Sequence, residues 1–268
     1  MKIVFANSRK CQQFAAIFAN LKNFTDNVSI YFKNDHIYIQ CLDDSHCCLF
    51  ESRLSSSWFK EYSFDVANDQ ACIGINIVML NKVLNAWNEG QEVSIETQPD
   101  SDKISINYEH GNTSTSQFNK YFELTLVNIQ TDLMDVRDFD TLVDLSVESK
   151  IFCSLINQLS IFDSTLTLIF NEENIECISS GSEGSMKALI NVNDVKEYAI
   201  PESTTLKQSY SLRYVQMMCN FNKLATEMEM GFSAETPMTM KYVLGDNNDP
   251  NSFVRIHLAP KIADEDDN

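Results

Sequence analysis

No CxxC pair and no Cys/His cluster at zinc spacing occurs in this chain of 268 residues, although it carries eight cysteines. Positions 11, 41, 47, 48, 72, 153, 177 and 219 lie mostly within apolar runs. They read as small buried hydrophobes in a reducing compartment, not as a disulfide framework. The four histidines, at 36, 46, 110 and 257, show no ligand spacing. No nucleophile motif or paired-carboxylate constellation stands out either, so the sequence offers no catalytic residue, metal site or cofactor site and points away from an enzyme. Asp43-Asp44 beside His46 is the best catalytic candidate. The Ser179–Gly184 segment lacks the lysine and following helix of a phosphate-binding loop and reads as a turn. No signal-peptide pattern follows Met1, and no apolar run approaches the length of a membrane span, which predicts a soluble intracellular protein.

Basic residues are also scarce. The chain has 20 Lys and Arg against 38 Asp and Glu, a formal net charge of -18. Taken whole, that balance argues against nucleic acid, because phosphate binding needs a basic surface. Binding depends on how charge is distributed, however, and not on its sum.

What is present is a repeat. Phe14-Ala15-Ala16-Ile17-Phe18 aligns with Phe152-Cys153-Ser154-Leu155-Ile156, 138 positions on, and without a gap Leu21 then meets Leu159, Phe32 meets Phe170 and Ile37 meets Ile175. A second block repeats 135 positions on, where Leu80 meets Val215, Val83 meets Met218 and Leu84 meets Cys219. Two near-equal offsets in the same order indicate a duplication. Helical periodicity predicts helices over Ser8–Lys22, Ile77–Trp87, Ser149–Leu159 and Leu212–Leu224. Alternation predicts strands that include Asn27–Phe32, Ile37–Cys41, His46–Phe50, Val93–Glu96 and Ile104–Tyr108. The expectation is an α+β domain made twice, each copy with two helices on antiparallel sheets.

The four predicted helices hold no acid at all, although an even spread of 38 acids would place several there. Helices accept Glu as readily as Lys or Arg, so helix propensity does not explain the absence. Their bases are Arg9, Lys10, Lys22, Lys82, Lys150, Arg213 and Lys223. Together they predict one electropositive surface on an otherwise acidic body, suited to weak, sequence-blind contact with phosphate.

The C-terminus, His257-Leu258-Ala259-Pro260-Lys261-Ile262 followed by the acidic Ala263–Asn268, resembles the ending of the proliferating cell nuclear antigen (PCNA) family of DNA sliding clamps. Leu42–Leu49, Gly74–Asn76 running into Met79–Leu84, Ser211–Tyr214 and Ser233–Met238 are similar to further family blocks in the same order. The resemblance implies the DNA clamp (processivity) fold, closed by three copies into a pseudo-six-fold homotrimeric ring with the helices inside. It implies domains at 1–126 and 140–268, joined by a connector over 127–139. Its partners would be double-stranded DNA, held without sequence preference through the ring, DNA polymerase, a clamp loader and proteins bearing PCNA-interacting peptide motifs, with no membrane and no cofactor. The setting would be nuclear, or a viral replication compartment if the source is a large DNA virus. The same fold also serves a heterotrimeric checkpoint clamp and a monomeric viral processivity factor.

Residue by residue, the resemblance places a partner-peptide pocket at Leu42, His46, Cys47 and Leu49, at Leu133 and Val136 of the connector, at Ser211 and Tyr214, and at Pro237, Leu258, Ala259 and Pro260. It places subunit contacts on the edge segments Gln117–Leu126 and Gly184–Ile190, through Phe122, Leu124, Met186 and Ala188. Three departures stand out: Asn85 where the family often has lysine, Ile256-His257 where an aromatic pair is usual, and no lysine in the Asn171-Glu172-Glu173 turn.

Overall fold

A computed structural model describes residues 1–5, 7–64, 70–98, 101–110, 118–129, 132–245 and 250–262. Gln117 of the expected edge segment, Gln130-Thr131 of the expected connector and the acidic tail from Ala263 lie outside the described residues. The chain gathers into two compact units. One comprises Met1–Asp44, Phe50–Met134 and Val243–Val254, the other Ser45–Leu49, Asp135–Tyr242 and Arg255–Asn268.

The first half of the chain runs β1 (Lys2–Val4), α1 (Ser8–Leu21), β2 (Asn27–Lys33), β3 (His36–Leu42), β4 (Cys48–Ser55), β5 (Glu61–Ser63), β6 (Gln70–Asn76), α2 (Ile77–Leu84), β7 (Gln91–Glu96), β8 (Lys103–His110) and β9 (Lys120–Thr125). The second half runs β10 (Val143–Glu148), α3 (Ser149–Leu159), β11 (Thr165–Phe170), β12 (Asn174–Gly181), β13 (Gly184–Asn191), β14 (Glu197–Ala199), β15 (Leu206–Ser211), α4 (Leu212–Cys219), β16 (Glu227–Phe232), β17 (Met238–Val243) and β18 (Phe253–Leu258).

Hydrogen-bonded neighbours follow the order β5-β1-β7-β8-β9 in the first half and β14-β10-β16-β17-β18 in the second. The remaining strands follow β4-β3-β2-β6 and β13-β12-β11-β15. Each order in one half is matched position for position in the other, so the duplication inferred from apolar spacing is present in the topology. The pairings are antiparallel, as in β2 with β6 and β11 with β15.

The apolar stripe of each helix is what the core consumes. Helix α1 buries Phe14, Ile17, Phe18 and Leu21, and α3 buries Phe152, Cys153, Ile156 and Leu159. Each large side chain removed from water in this way contributes roughly 1.5–3 kcal/mol. Phe14 stacks edge-on with Phe5 and Phe18, ring centroids 5.0 and 4.9 Å away. The second helix of each half is tethered identically. The Tyr108 phenol of β8 donates to the Val83 carbonyl of α2 at 2.8 Å, and the Tyr242 phenol of β17 donates to the Met218 carbonyl of α4 at 3.1 Å. Burial pushes both phenols well above their ordinary pKa, so they remain donors.

Helix starts differ between the halves. Asn7 and Asn76 each accept a hydrogen bond from the amide three residues on, capping α1 and α2. Glu148 and Ser211 precede α3 and α4 without a capping bond, so Glu148 acts on its helix only through charge.

Several element ends depart from expectation for local reasons. Helix α2 stops at Leu84, not Trp87, because Asn85 turns its amide back onto the Asn81 carbonyl (2.8 Å) and the Trp87 indole donates to Gln91 in β7 (3.1 Å). Helix α4 gives way at Asn220 to a 3₁₀ turn, where the Asn222 amide takes up the Cys219 carbonyl at 2.8 Å. The strand expected from His46 begins at Cys48, since His46 sits at φ 56 in a turn. In the first half, β1, β5 and β6 lie outside the expected strands; β1 and β5 are too short for alternation to show.

Candidate DNA-facing helices and partner pocket

Six of the seven helix bases are exposed: Arg9, Lys22 and Lys82 in the first unit, Lys150, Arg213 and Lys223 in the second. Among the described residues none of the six has a carboxylate partner. Nine other bases do, namely Lys2, Arg53, Lys60, Lys103, Arg137, Lys187, Lys196, Lys241 and Arg255. Most cations of the strands and loops are thus locally neutralised, with Lys33, Lys120, Lys207 and Lys261 outside such pairs among the described residues, while all six exposed at the helices keep their full charge for an outside anion. Arg213 lies over the ring of Tyr214, 5.9 Å from its centre, a contact that leaves the guanidinium charge uncompensated.

Lys10 does not belong to this set, which corrects the sequence reading. It is 4% exposed, its ammonium donates to the Leu244 carbonyl at 3.3 Å, and it lies 4.7 Å from the centre of the Trp58 ring. The reason is helical phase: Lys10 precedes Phe14, Ile17 and Leu21 at i+4, i+7 and i+11 and shares their inward face. That spacing is present in the sequence, and the charge of Lys10 masks it.

Most expected pocket residues belong to the second unit, and its hydrogen bonds bring their segments together. The Ala259 amide donates to the Cys47 carbonyl at 2.9 Å, so the stretch after β18 runs beside the His46–Leu49 loop. Lys261 extends the contact to β15, its amide donating to Ser209 at 2.7 Å and its ammonium to the Thr165 hydroxyl at 2.7 Å. Gln208, absent from the sequence expectation, donates to the Ser233 and Ala234 carbonyls at 3.2 and 3.4 Å and draws the loop that carries Pro237 toward β15. His46 and Cys47 are exposed, while Leu49, Ser211, Tyr214, Pro237, Ala259 and Pro260 are half-buried. Leu258 is 1% exposed and belongs to the core, correcting its assignment as a contact residue. Its neighbour His257 is also buried and meets the Phe139 ring edge-on.

The expected connector is held at several points. Val127 donates to the Gly74 carbonyl at 2.8 Å, Met134 makes paired bonds with Gln40, and Asp138 pairs with Arg255. Leu42, Leu133 and Val136 are half-buried.

Both expected contact strands lie at sheet edges, β9 beyond β8 and β13 beyond β12. Their side chains correct part of the expectation. Phe122 packs on the buried Tyr108, centroids 5.7 Å apart, and Leu124 is buried. On β9 the exposed apolar surface is Tyr121, with Phe118 just before the strand; on β13 it is Leu189, beside half-buried Met186 and Ala188.

The thiols divide similarly. Burial pushes Cys11, Cys41 and Cys177 up to about 12, so they stay protonated. Cys47 and Cys72 are exposed, against the expectation that the cysteines are interior.

A twice-repeated α+β frame, with six exposed cations at its helices that no carboxylate neutralises among the described residues and an open edge strand in each half, defines a clamp-type DNA-binding chain. Residues 6–133 match the family described as proliferating cell nuclear antigen, N-terminal domain, and residues 134–261 match its C-terminal domain. The chain is 27% identical over 267 residues to proliferating cell nuclear antigen 1 of Plasmodium falciparum, covering 94% of each chain. It is 22% identical to proliferating cell nuclear antigen of Saccharomyces cerevisiae, over 97% of this chain and 99% of that one. It is 24% identical to DNA polymerase sliding clamp 1 of Sulfolobus acidocaldarius, over 98% of this chain and all of that one. The chain belongs to the proliferating cell nuclear antigen family.

Proposed function

We propose that this chain is a DNA sliding clamp, a processivity factor that encircles duplex DNA and tethers DNA polymerase. Three copies close into a ring, β9 of one beside β13 of the next, with α1 to α4 facing the duplex. A clamp loader opens the ring onto DNA, and partner proteins dock short peptide motifs beside the 127–139 connector and the 257–262 stretch. The ring makes and breaks no bonds, and it works in the nucleus.

One observation carries this reading: none of the six exposed cations at the helices has a carboxylate partner among the described residues, whereas nine of the thirteen on strands and loops do. Six exposed cations on a chain of net charge -18 give weak, salt-sensitive contact with phosphate. Ring closure converts weak contact into lasting association, because a closed ring leaves DNA only by opening or by reaching an end. Acid elsewhere repels the duplex from the rest of the surface.

The test combines solution mass over a concentration series with polymerase extension on a primed circular template. A mass three times the 30.6 kDa of the chain, with longer products when a loader is present, is the expected result. A stable monomer that adds nothing to product length overturns the proposal.

A further inference from the structure

Gln40 occupies an unusual place for a polar side chain: it is 8% exposed, on β3, and its carboxamide meets the main chain of Met134, 94 residues away in sequence but in the same compact unit. Nε2 donates to the Met134 carbonyl at 3.1 Å, and Oε1 accepts from the Met134 amide at 2.8 Å. This is the donor–acceptor pair that a neighbouring strand would offer, supplied by one side chain to one residue.

The orientation of the carboxamide is over-determined. The second Nε2 hydrogen goes to the Tyr38 hydroxyl at 3.1 Å, and that hydroxyl in turn donates to the Glu51 carboxylate at 2.8 Å. Glu51 is 2% exposed, so the phenol proton goes to a buried acceptor with a strong claim on it. Exchanging the oxygen and nitrogen of Gln40 would set donor against donor and acceptor against acceptor at Met134. Glu51, Tyr38 and Gln40 therefore present one fixed grip.

We propose that Gln40 is the positioning residue of the connector, holding Met134 so that the adjoining Leu133 stays set as a wall for the partner peptide. This rests on the pocket reading given above. Gln40 needs no contact with the peptide itself. Fixing the wall beforehand lowers the ordering cost of binding, so loss of Gln40 appears as weaker affinity and not as a lost anchor.

The test uses a fluorescein-labelled synthetic peptide carrying one aliphatic and two aromatic anchors, with amide hydrogen exchange read at Met134. In Gln40→Ala the Met134 amide exchanges at least tenfold faster and the peptide binds about tenfold more weakly. Trimer mass and retention on circular DNA stay unchanged. Gln40→Glu keeps the acceptor for the Met134 amide and loses only the donor, so it falls between wild type and alanine in both readouts. Tyr38→Phe, which frees the amide to rotate, weakens both measures less than alanine does. Unchanged Met134 exchange in Gln40→Ala overturns the proposal, as does faster exchange with undiminished peptide affinity. A wild-type protein that binds no such peptide sinks the pocket reading instead. That failure is told apart by Met134 exchange, which reads the grip of Gln40 without peptide.

Discussion

The ammonium of Lys10 lies over the indole of Trp58, 4.7 Å from the ring centre, and both side chains donate to the same acceptor, the Leu244 carbonyl. A buried cation held against a π face and bonded to a carbonyl is a fastening, not a docking point. Replacing Lys10 with Ala is expected to cost roughly 1–3 kcal/mol of stability through the lost cation–π contact, bond and packing. Replacing exposed Lys22 with Ala should leave stability within about 0.5 kcal/mol. Urea unfolding of both variants checks this, and equal midpoints would remove Lys10 from the core.

Charge reversal at Arg9, Lys82, Lys150 and Arg213 together should leave the solution mass intact and abolish loading onto DNA. Lys82→Ala, which removes three cations from a ring of three copies, should weaken retention uniformly across DNA sequences and lower the salt slope by roughly one to three. If loading survives all four reversals, the helices do not face the duplex.

Gly74 lies where the backbone leaving β9 passes closest. A Cβ at this position would sit 2.1 Å from the Val127 carbonyl oxygen and 2.8 Å from the Ile129 side chain. Neither that carbonyl nor the bond from the Val127 amide to the Gly74 carbonyl can yield cheaply, so Gly74→Ala is expected to destabilise by at least about 2 kcal/mol. Gly90, at φ +89 with open space around it, should cost less, about 1 kcal/mol, on mutation to Ala. Thermal unfolding ranks the pair; the reverse order would contradict the close approach.

Acid sensitivity should centre first on His36. Burial holds its imidazole below the ordinary value of 6.5, despite the hydrogen bond to Asp35 at 2.6 Å, while that bond holds Asp35 below its own ordinary range. Both folded groups bind protons at lower pH than their unfolded counterparts. The stability His36 provides is present above about pH 6.5 and falls as pH drops through that value toward its folded pKa. Asp35 adds a further loss of the same sign in stronger acid. The urea midpoint should therefore fall between pH 7.5 and 5.5, and His36→Gln should shrink that fall. An equal fall in both proteins would show that another group controls the window.

The duplication is legible in the sequence because buried positions recur at a fixed spacing, and Val83 with Met218 even marks the carbonyls that the two tethering tyrosines reach. Lys10 is the clearest misreading: its charge suggests the surface and its phase decides for the interior. Phe122 on its edge strand is half-buried, its ring against Tyr108, while Tyr121 beside it faces out, a division that the alternation of the strand alone does not assign. Gln40 and Gln208 are invisible beforehand, since each acts on main chain distant in sequence and a carboxamide carries no mark of its partner. Helix ends are set by local side-chain bonds, as at Asn85 and Asn222, which periodicity does not see.

The matched strand orders of the two halves have a consequence for inheritance. Tyr108 and Tyr242 keep one tether in both copies, whereas the asparagine caps of α1 and α2 have no counterpart at Glu148 and Ser211. The two halves share the frame and differ in its fittings. A substitution that refines one copy leaves its twin untouched, so a single gene carries two wall panels open to separate tailoring.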